Sequence, residues 1–313
     1  MAFLTICTAP KPFTNPHIAM IQRNAIRSWR ELGSEVDILL VGDEPGIQEA
    51  ANELGVHCAP EVARNSQGTP MVSSMFELAR QLGSPLVACV NADILLLPDF
   101  VRVARLAAGR FSEFLVVGQR WDLDVREPLD FSAGWQDRLR ADLKKRGRLH
   151  PRGGSDYFIF PRHGYTGMPP LVIGRAGWDN WMIYEARRNG WAVVDASRSV
   201  TIVHQNHDYS HLAGGQPHYR HPETAENIRL GGGERTIFTL LDCNFEAVDA
   251  ELRPPPFSWK KLWREMEVFP LVRMRSRALG WLFYAVFHPL RAYRSFRVWM
   301  HRRLKQRPDL TCD

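Results

Sequence analysis

The chain has 313 residues, 45% hydrophobic and 24% charged, a globular composition that excludes a disordered tail, a collagen-like fibre and a small disulfide scaffold. Its net charge of +6 is unevenly placed. Residues 257–313 carry 13 basic and 4 acidic residues, a balance of +9, whereas the preceding 256 carry 27 basic and 30 acidic, a balance of −3. Five cysteines, an odd number without C-x-x-C spacing, read as reduced thiols. The opening MAFLTICTAPKPF has no basic region followed by a long apolar run, so no secretory signal is expected. No stretch reaches the roughly 18 apolar residues needed to span a bilayer.

In chain order, residues 3–7 are a short apolar run that opens onto a Pro-rich loop, Thr8 to Pro16. Ile18, Ile21, Ala25, Trp29 and Leu32 share one helical face, and Gly33 stops that helix. Residues 36–42 read as a buried strand ending at Asp43, and 46–54 as a short helix ending at Gly55. Residues 72–82 repeat the helical period. Residues 86–94, LVACVNADI, read as one strand, followed by a helix from Pro98-Asp99. Further strand-like runs are 114–119, 156–161, 191–196 and 200–205, and residues 206–235 read as a long loop with helical fragments. Strands alternating with helices predict an α/β fold with a mostly parallel sheet covered on both faces. Ligands of such sheets bind beyond the carboxyl ends of the strands, which picks out Thr8, Ala9, Pro10, Asp43, Asn91 and Asp93.

Four constellations carry chemistry. Asp93 lies between two apolar runs, where a carboxylate is costly unless something pairs with it, and a divalent cation would do so; capping of a turn or of the next helix is the bland reading. Residues 203–211, VHQNHDYSH, bring His204, His207 and His211 together with Asp208 at a strand end. His204 and His207 could ligate one metal with Asp208 as a separate zinc site, or a single one of them could complete a site begun by Asp93; a locally hydrogen-bonded polar loop is the third reading. Asp179 falls in the first turn of a helix after Gly177, where the helix dipole favours its ionised form, so it suits a general base or a plain cap. Gly153-Gly154-Ser155-Asp156 is a turn that delivers Asp156 onto a strand, where it can line an acceptor pocket. No phosphate loop, G-x-G-x-x-G after the first strand, G-x-S-x-G elbow or H-E-x-x-H helix is present.

Taken together, residues 1–245 resemble the GT-A fold nucleotide-diphospho-sugar glycosyltransferases. The resemblance rests on the Thr8-Ala9-Pro10 loop, Asp43 after the second strand, Asn65-Ser66-Gln67-Gly68-Thr69-Pro70 before a helix, and Asn91-Ala92-Asp93 where the family has D-x-D. Trp178-Asp179-Asn180-Trp181 is similar to the segment that supplies the base in inverting members, with Asp-Asn in place of Glu-Asp. Asn91 likewise replaces the first acidic residue of D-x-D. The resemblance implies a Rossmann-like α/β domain over residues 1–253 and sugar transfer from a nucleotide-sugar donor to a glycan or lipid-linked acceptor. It assigns Thr8, Ala9, Pro10, Asp43, Asn65, Gly68, Asn91 and Asp93 to the donor, and Asp93 with His204 or His207 to a divalent cation, Mn²⁺ or Mg²⁺. Asp179 is then the base, with Asp156 as the other catalytic candidate. Trp121, Tyr157 and Trp178 are candidates for sugar stacking. A non-catalytic glycan- or nucleotide-binding protein and a zinc hydrolase built on residues 204–211 are the alternatives.

Pro254-Pro255-Pro256 breaks the chain before the basic segment. Residues 254–313 read as a basic, aromatic helical appendage that contacts an anionic membrane as an interfacial helix pair, which would place the protein peripherally on the cytoplasmic face. No nucleic-acid module is recognised.

Overall fold

The computed structural model describes residues 1–153, 155–207 and 221–305. It divides into two units, Met1–Pro256 and Phe257–Asp313. In the first, strands β1 (Leu4–Thr8), β2 (Val36–Val41), β3 (His57–Ala59), β4 (Leu86–Val90), β6 (Phe114–Val117), β9 (Tyr157–Pro161), β10 (Ala192–Asp195), β12 (Phe245–Val248) and β13 (Glu251–Arg253) form a nine-stranded sheet. Its order is β13-β12-β10-β6-β9-β4-β1-β2-β3. The pairs β1/β2, β1/β4, β2/β3, β6/β10 and β10/β12 are parallel, whereas β9 runs antiparallel between β4 and β6, and β13 runs antiparallel to β12. The sheet is therefore mostly parallel, as the alternation of strands and helices predicts. The four central strands β1, β4, β9 and β6 are wholly buried, which is why each is a continuous apolar run.

Helices α1 (Pro16–Arg30), α2 (Ile47–Leu54), α3 (Val72–Gln81), α4 (Asp99–Arg110), α5 (Trp135–Arg146), α6 (Trp178–Arg188) and α7 (Pro222–Gly231) accompany the strands. Local chemistry sets the ends of α1: the Asn15 side chain accepts from His17 N and Ile18 N, with Pro16 in the first turn, a cap that contributes about 1 kcal/mol. Gly55 closes α2 in the left-handed region at φ +61°.

Residues 86–94 are not one strand. β4 stops at Val90, the chain turns through Asn91-Ala92-Asp93, and β5 (Ile94–Leu96) enters a second, four-stranded sheet. Its order is β5-β11-β7-β8, from β11 (Ile202–Gln205), β7 (Trp121–Leu123) and β8 (Arg148–Leu149). Polar groups of α1 fix this switch: the Trp29 indole donates to Ile94 O at 2.8 Å, and Ser28 Oγ accepts from Leu96 N at 3.0 Å. Buried Gln205 donates to Ile21 O at 2.7 Å and accepts from Asn24, tying β11 to the same helix. Asp93 thus lies at the hinge between two sheets.

The second unit holds three helices among its described residues: α8 (Trp259–Val272), α9 (Arg277–Phe287) and α10 (Pro289–Lys305). The apolar run 278–290 is interrupted at His288-Pro289, so three helices replace the expected pair. Gly280 lets α9 approach α8, since a Cβ there would collide with Leu271. Trp263 and Phe287 pack edge to face at 5.5 Å between centroids. No helix among the described residues is long and apolar enough to cross a membrane.

Candidate active site

Strand register assembles the site. The antiparallel register Val90↔Tyr157 sets the residue after β4 against the residue before β9. Asn91 N therefore donates to Asp156 O at 3.0 Å, and the Asn91 amide donates to Asp156 Oδ1 at 2.7 Å. Asn91 holds Asp156 rather than standing among the potential metal ligands. On the other side of the turn, His204 pairs with Ile94 across β5/β11 and with Asp122 across β11/β7. His204 is thereby delivered beside Asp93, and Asp122 beside His204.

Asp93, His204 and His207 offer ligand atoms that all lie within 4.8 Å of one another. His207 Nε2 is 3.0 Å and His204 Nε2 3.9 Å from Asp93 Oδ2. Lys11, in the loop after β1, sits over the same carboxylate: its ammonium is 3.7 Å from Asp93 Oδ2 and 3.0 Å from His207 Nε2. Gln22 anchors that loop by accepting from Lys11 N and donating to Lys11 O. Burial pushes the Asp93 carboxyl up, but His204, His207 and Lys11 together outweigh it and hold Asp93 well below the ordinary range. Among the described residues, Asp93 Oδ1 is buried without a hydrogen-bond partner. An orphaned carboxylate oxygen costs about 1–3 kcal/mol, and a cation relieves it. One carboxylate and two imidazoles are donors that suit a first-row divalent cation such as Mn²⁺.

Behind this cluster lies a set of charges that sequence reasoning misses. Asp122 accepts from Arg120 Nε at 2.9 Å and pairs with His150 Nδ1 at 2.7 Å, while its Oδ1 lies 3.5 Å from His204 Nδ1. Burial raises Asp122, yet His204, His150 and Arg120 hold it well below the usual carboxylate range. Arg120 also donates to Asp156 Oδ1 at 2.8 Å and so bridges Asp122 and Asp156. A carboxylate behind a ligating imidazole fixes its ring orientation, and loss of such a partner weakens metal binding about 10–100-fold. Asp122→Asn is therefore expected to weaken Mn²⁺ binding by that factor in a calorimetric titration; unchanged affinity would show that His204 is held by its strand alone. Alternation of charge with apolar residues over 120–125 is the signal that marks these residues, and it is too short to stand out.

Asp179 lies at the start of α6, which Trp178 docks against β9 by packing on Phe158 at 4.9 Å. It accepts from Gly177 N at 3.0 Å. Desolvation pushes its pKa up to about 6; backbone N–H groups pull the other way, and the nearby Asp156 charge adds to the rise. The dipole expectation is therefore reversed in direction, because burial outweighs the helix terminus. Asp179 lines a small recess with Ser155, Asn180, Phe238 and Thr239. Tyr157 and Trp178 are buried core side chains, so of the three candidate stacking aromatics only Trp121 retains partial exposure.

The remaining expected donor residues fall in two places. Thr8 and Pro10 are buried and Ala9 half-buried at the end of β1. Asp43 is largely exposed and ion-paired with Arg64 at 2.5 Å. Asn65 and Gly68 shape one turn, in which Asn65 Oδ1 accepts from Gln67 N and Thr69 N and Gly68 adopts φ +80°. That turn is clamped by a residue the sequence did not flag, Glu223, which accepts from Asn65 at 2.6 Å, Thr69 at 2.8 Å and Arg175 at 2.8 Å. Burial raises Glu223, but these three partners hold it below its ordinary pKa. In the sequence Glu223 reads as first-turn helix chemistry after Pro222, which conceals this role. Asp208 and His211 lie outside the described residues.

No protein-family model and no curated protein matches this sequence. Among solved structures, the chain is similar to mannosyltransferase PcManGT from Pyrobaculum calidifontis in complex with GDP-Man and Mn²⁺, at 12% identity over 96% of this chain and 80% of that one, TM-score 0.45. It is similar to S. aureus TarS 1–349 in complex with UDP-GlcNAc, at 12% identity over 74% of this chain and 66% of that one, TM-score 0.43. It is also similar to glucosyl-3-phosphoglycerate synthase from Mycobacterium tuberculosis in complex with phosphoglyceric acid, at 16% identity over 82% and 88% of the two chains, TM-score 0.44.

Proposed function

We propose that the protein is a glycosyltransferase that moves a sugar from a nucleotide-diphospho-sugar to a glycan or lipid-linked acceptor, with inversion at the anomeric carbon. The observation that carries this reading is the meeting of Asp93, His204 and His207 at the end of a central strand, on the same side as the loop after β1. A divalent cation bound there supplies positive charge where a diphosphate leaving group develops negative charge. Asp93 and the two histidines would hold it, with Asp122 behind the His204 ring. Lys11 adds a second positive charge beside the same place. Asp179, ionised above about pH 6, takes the proton of the attacking acceptor hydroxyl at the opposite side of the sugar. Asp156, pinned by Asn91 and Arg120, contributes charge and positioning. A separate zinc hydrolase site is disfavoured, because both described histidines turn towards Asp93. Incubation with a panel of sugar nucleotides and Mn²⁺ is expected to release a nucleoside diphosphate from one of them, and EDTA to suppress it. Release from none of them in the presence of varied glycan and lipid acceptors contradicts the reading.

The second unit is assigned to an anionic membrane surface. Trp259, Trp263, Phe269, Trp281, Val286, Leu290 and Tyr293 are all exposed large side chains on a segment of charge +9. Each basic residue near an anionic leaflet contributes about 1 kcal/mol, screened by salt, and buried aromatics add a part that salt does not remove. The full chain is expected to bind anionic vesicles, with binding weakened but not erased by salt, and to bind neutral vesicles little. Equal binding to neutral and anionic vesicles, or complete release by salt, contradicts this assignment.

A further inference from the structure

A second cleft lies apart from the Asp93 centre, and we propose that it binds a phosphate-bearing ligand. It measures about 760 Å³, a size typical of small-molecule sites, and four segments converge on it. Asp99, Arg102, Val103 and Leu106 form one face of α4, with Arg105 beside them; Arg140 comes from α5; Arg198, Ser199 and Thr201 come from the link between β10 and β11; Asp249 and Ala250 form the turn between β12 and β13. Thr201 precedes β11 and His204 lies three residues on, so at about 3.3 Å per residue the cleft and the Asp93 centre are roughly 10 Å apart along that strand.

The charges sort into two kinds. Arg140 is committed: it donates to buried Asp99 at 2.8 Å and to Thr201 Oγ1 at 3.1 Å, which stiffens the floor. Arg105 pairs with Glu35 and stacks on Phe3 at 4.5 Å. Arg102 and Arg198 form no ion pair among the described residues, and the one other carboxylate in the lining is Asp249. Two exposed guanidinium groups without a partner among the described residues, facing one cleft with the Thr201 hydroxyl, match the oxygens of a phosphate, which a guanidinium grips through paired N–H groups. The rim on that side is the two-residue hairpin turn between β12 and β13. Asp249 and Ala250 both adopt left-handed backbone, φ +50° and +64°, which for Ala costs about 1–2 kcal/mol. The type I′ turn of a two-residue hairpin requires positive φ at both positions, which fixes the rim.

The ligand is a soluble phosphate ester or the phosphate of a lipid headgroup, and the experiment separates them. Full-length protein carrying Asp93→Asn, in EDTA, is titrated with pyrophosphate by calorimetry, so that no outcome depends on glycosyl transfer. The added pair Arg102→Gln/Arg198→Gln is expected to weaken pyrophosphate binding tenfold or more with no fall in Tm, since neither side chain has a partner to lose. Arg105→Gln is expected to weaken it less than threefold. Flotation with phosphatidylcholine vesicles, with and without phosphatidic acid, then names the source. Because the second unit is proposed to bind any anionic vesicle, phosphatidic acid is compared with phosphatidylserine at equal surface charge: a preference for phosphatidic acid that the double variant loses marks a lipid headgroup, and no such preference in the parent marks a soluble ester. Pyrophosphate affinity equal in parent and double variant, or no binding by the parent at millimolar concentration, overturns the proposal.

Discussion

Asp93→Asn is expected to lower sugar transfer about 10²–10³-fold or more and to abolish Mn²⁺-dependent donor binding, while the protein still folds. The carboxylate faces His204, His207 and Lys11, and one of its oxygens has no hydrogen-bond partner among the described residues. Its worth therefore lies in charge at the reacting diphosphate rather than in packing. Asparagine keeps the side-chain volume and removes the charge. Near-wild-type turnover with an unchanged Mn²⁺ requirement would move the metal away from this turn.

The second large effect is at Asp179. Asp179→Asn is expected to leave donor affinity intact and to lower turnover about 10²–10⁴-fold, the range for a lost general base. The wild-type rate should rise as pH climbs through about 6, because the base must be ionised. Stability moves the other way. The folded-state pKa of about 6 lies above the ordinary value of 3.8, so wild-type stability is full below the ordinary value and falls as pH rises through the folded one. The asparagine variant lacks this loss. Relative to wild type it should gain on the order of 3 kcal/mol at about pH 8 and almost nothing at about pH 3, measured by denaturant unfolding. Loss of donor affinity with turnover at saturation preserved would make Asp179 a binding residue.

The central strands were legible in the sequence because they are buried on both faces, and the glycines that end α2 and precede α6 marked their helices. The strand from Leu86 to Ile94 was not, because an apolar run looks the same whether it continues or changes sheets. What turns it is polar bonding from Trp29 and Ser28, some 65 residues away along the chain. Helix α5 was hidden by its charge: Trp135, Leu139 and Leu143 give the spacing, but charged residues fill most of the remaining turns. At the site, Asp93, Asp156, Asp179, His204 and His207 were nameable from residue type and position after a strand or before a helix. Arg120, Asp122 and His150 were not, since their roles exist only once β7 pairs with β11 and β8. Asn91 is the instructive residue. By position it belongs to a metal motif, but register turns its amide to Asp156.

Sugar transfer by this chain requires that the Asp93 centre bind a nucleoside diphosphate together with a divalent cation. Thermal unfolding with a set of nucleoside diphosphates, each with and without Mn²⁺, tests it directly. A ligand at about 100 times its Kd stabilises the folded state by about 2.7 kcal/mol, a rise of roughly 4 °C in a chain of this size. The prediction is such a rise for at least one nucleoside diphosphate with Mn²⁺, little rise for either alone, and none in Asp93→Asn. A tightly bound zinc that survives dialysis, or no rise with any nucleoside diphosphate in the presence of Mn²⁺, would contradict it.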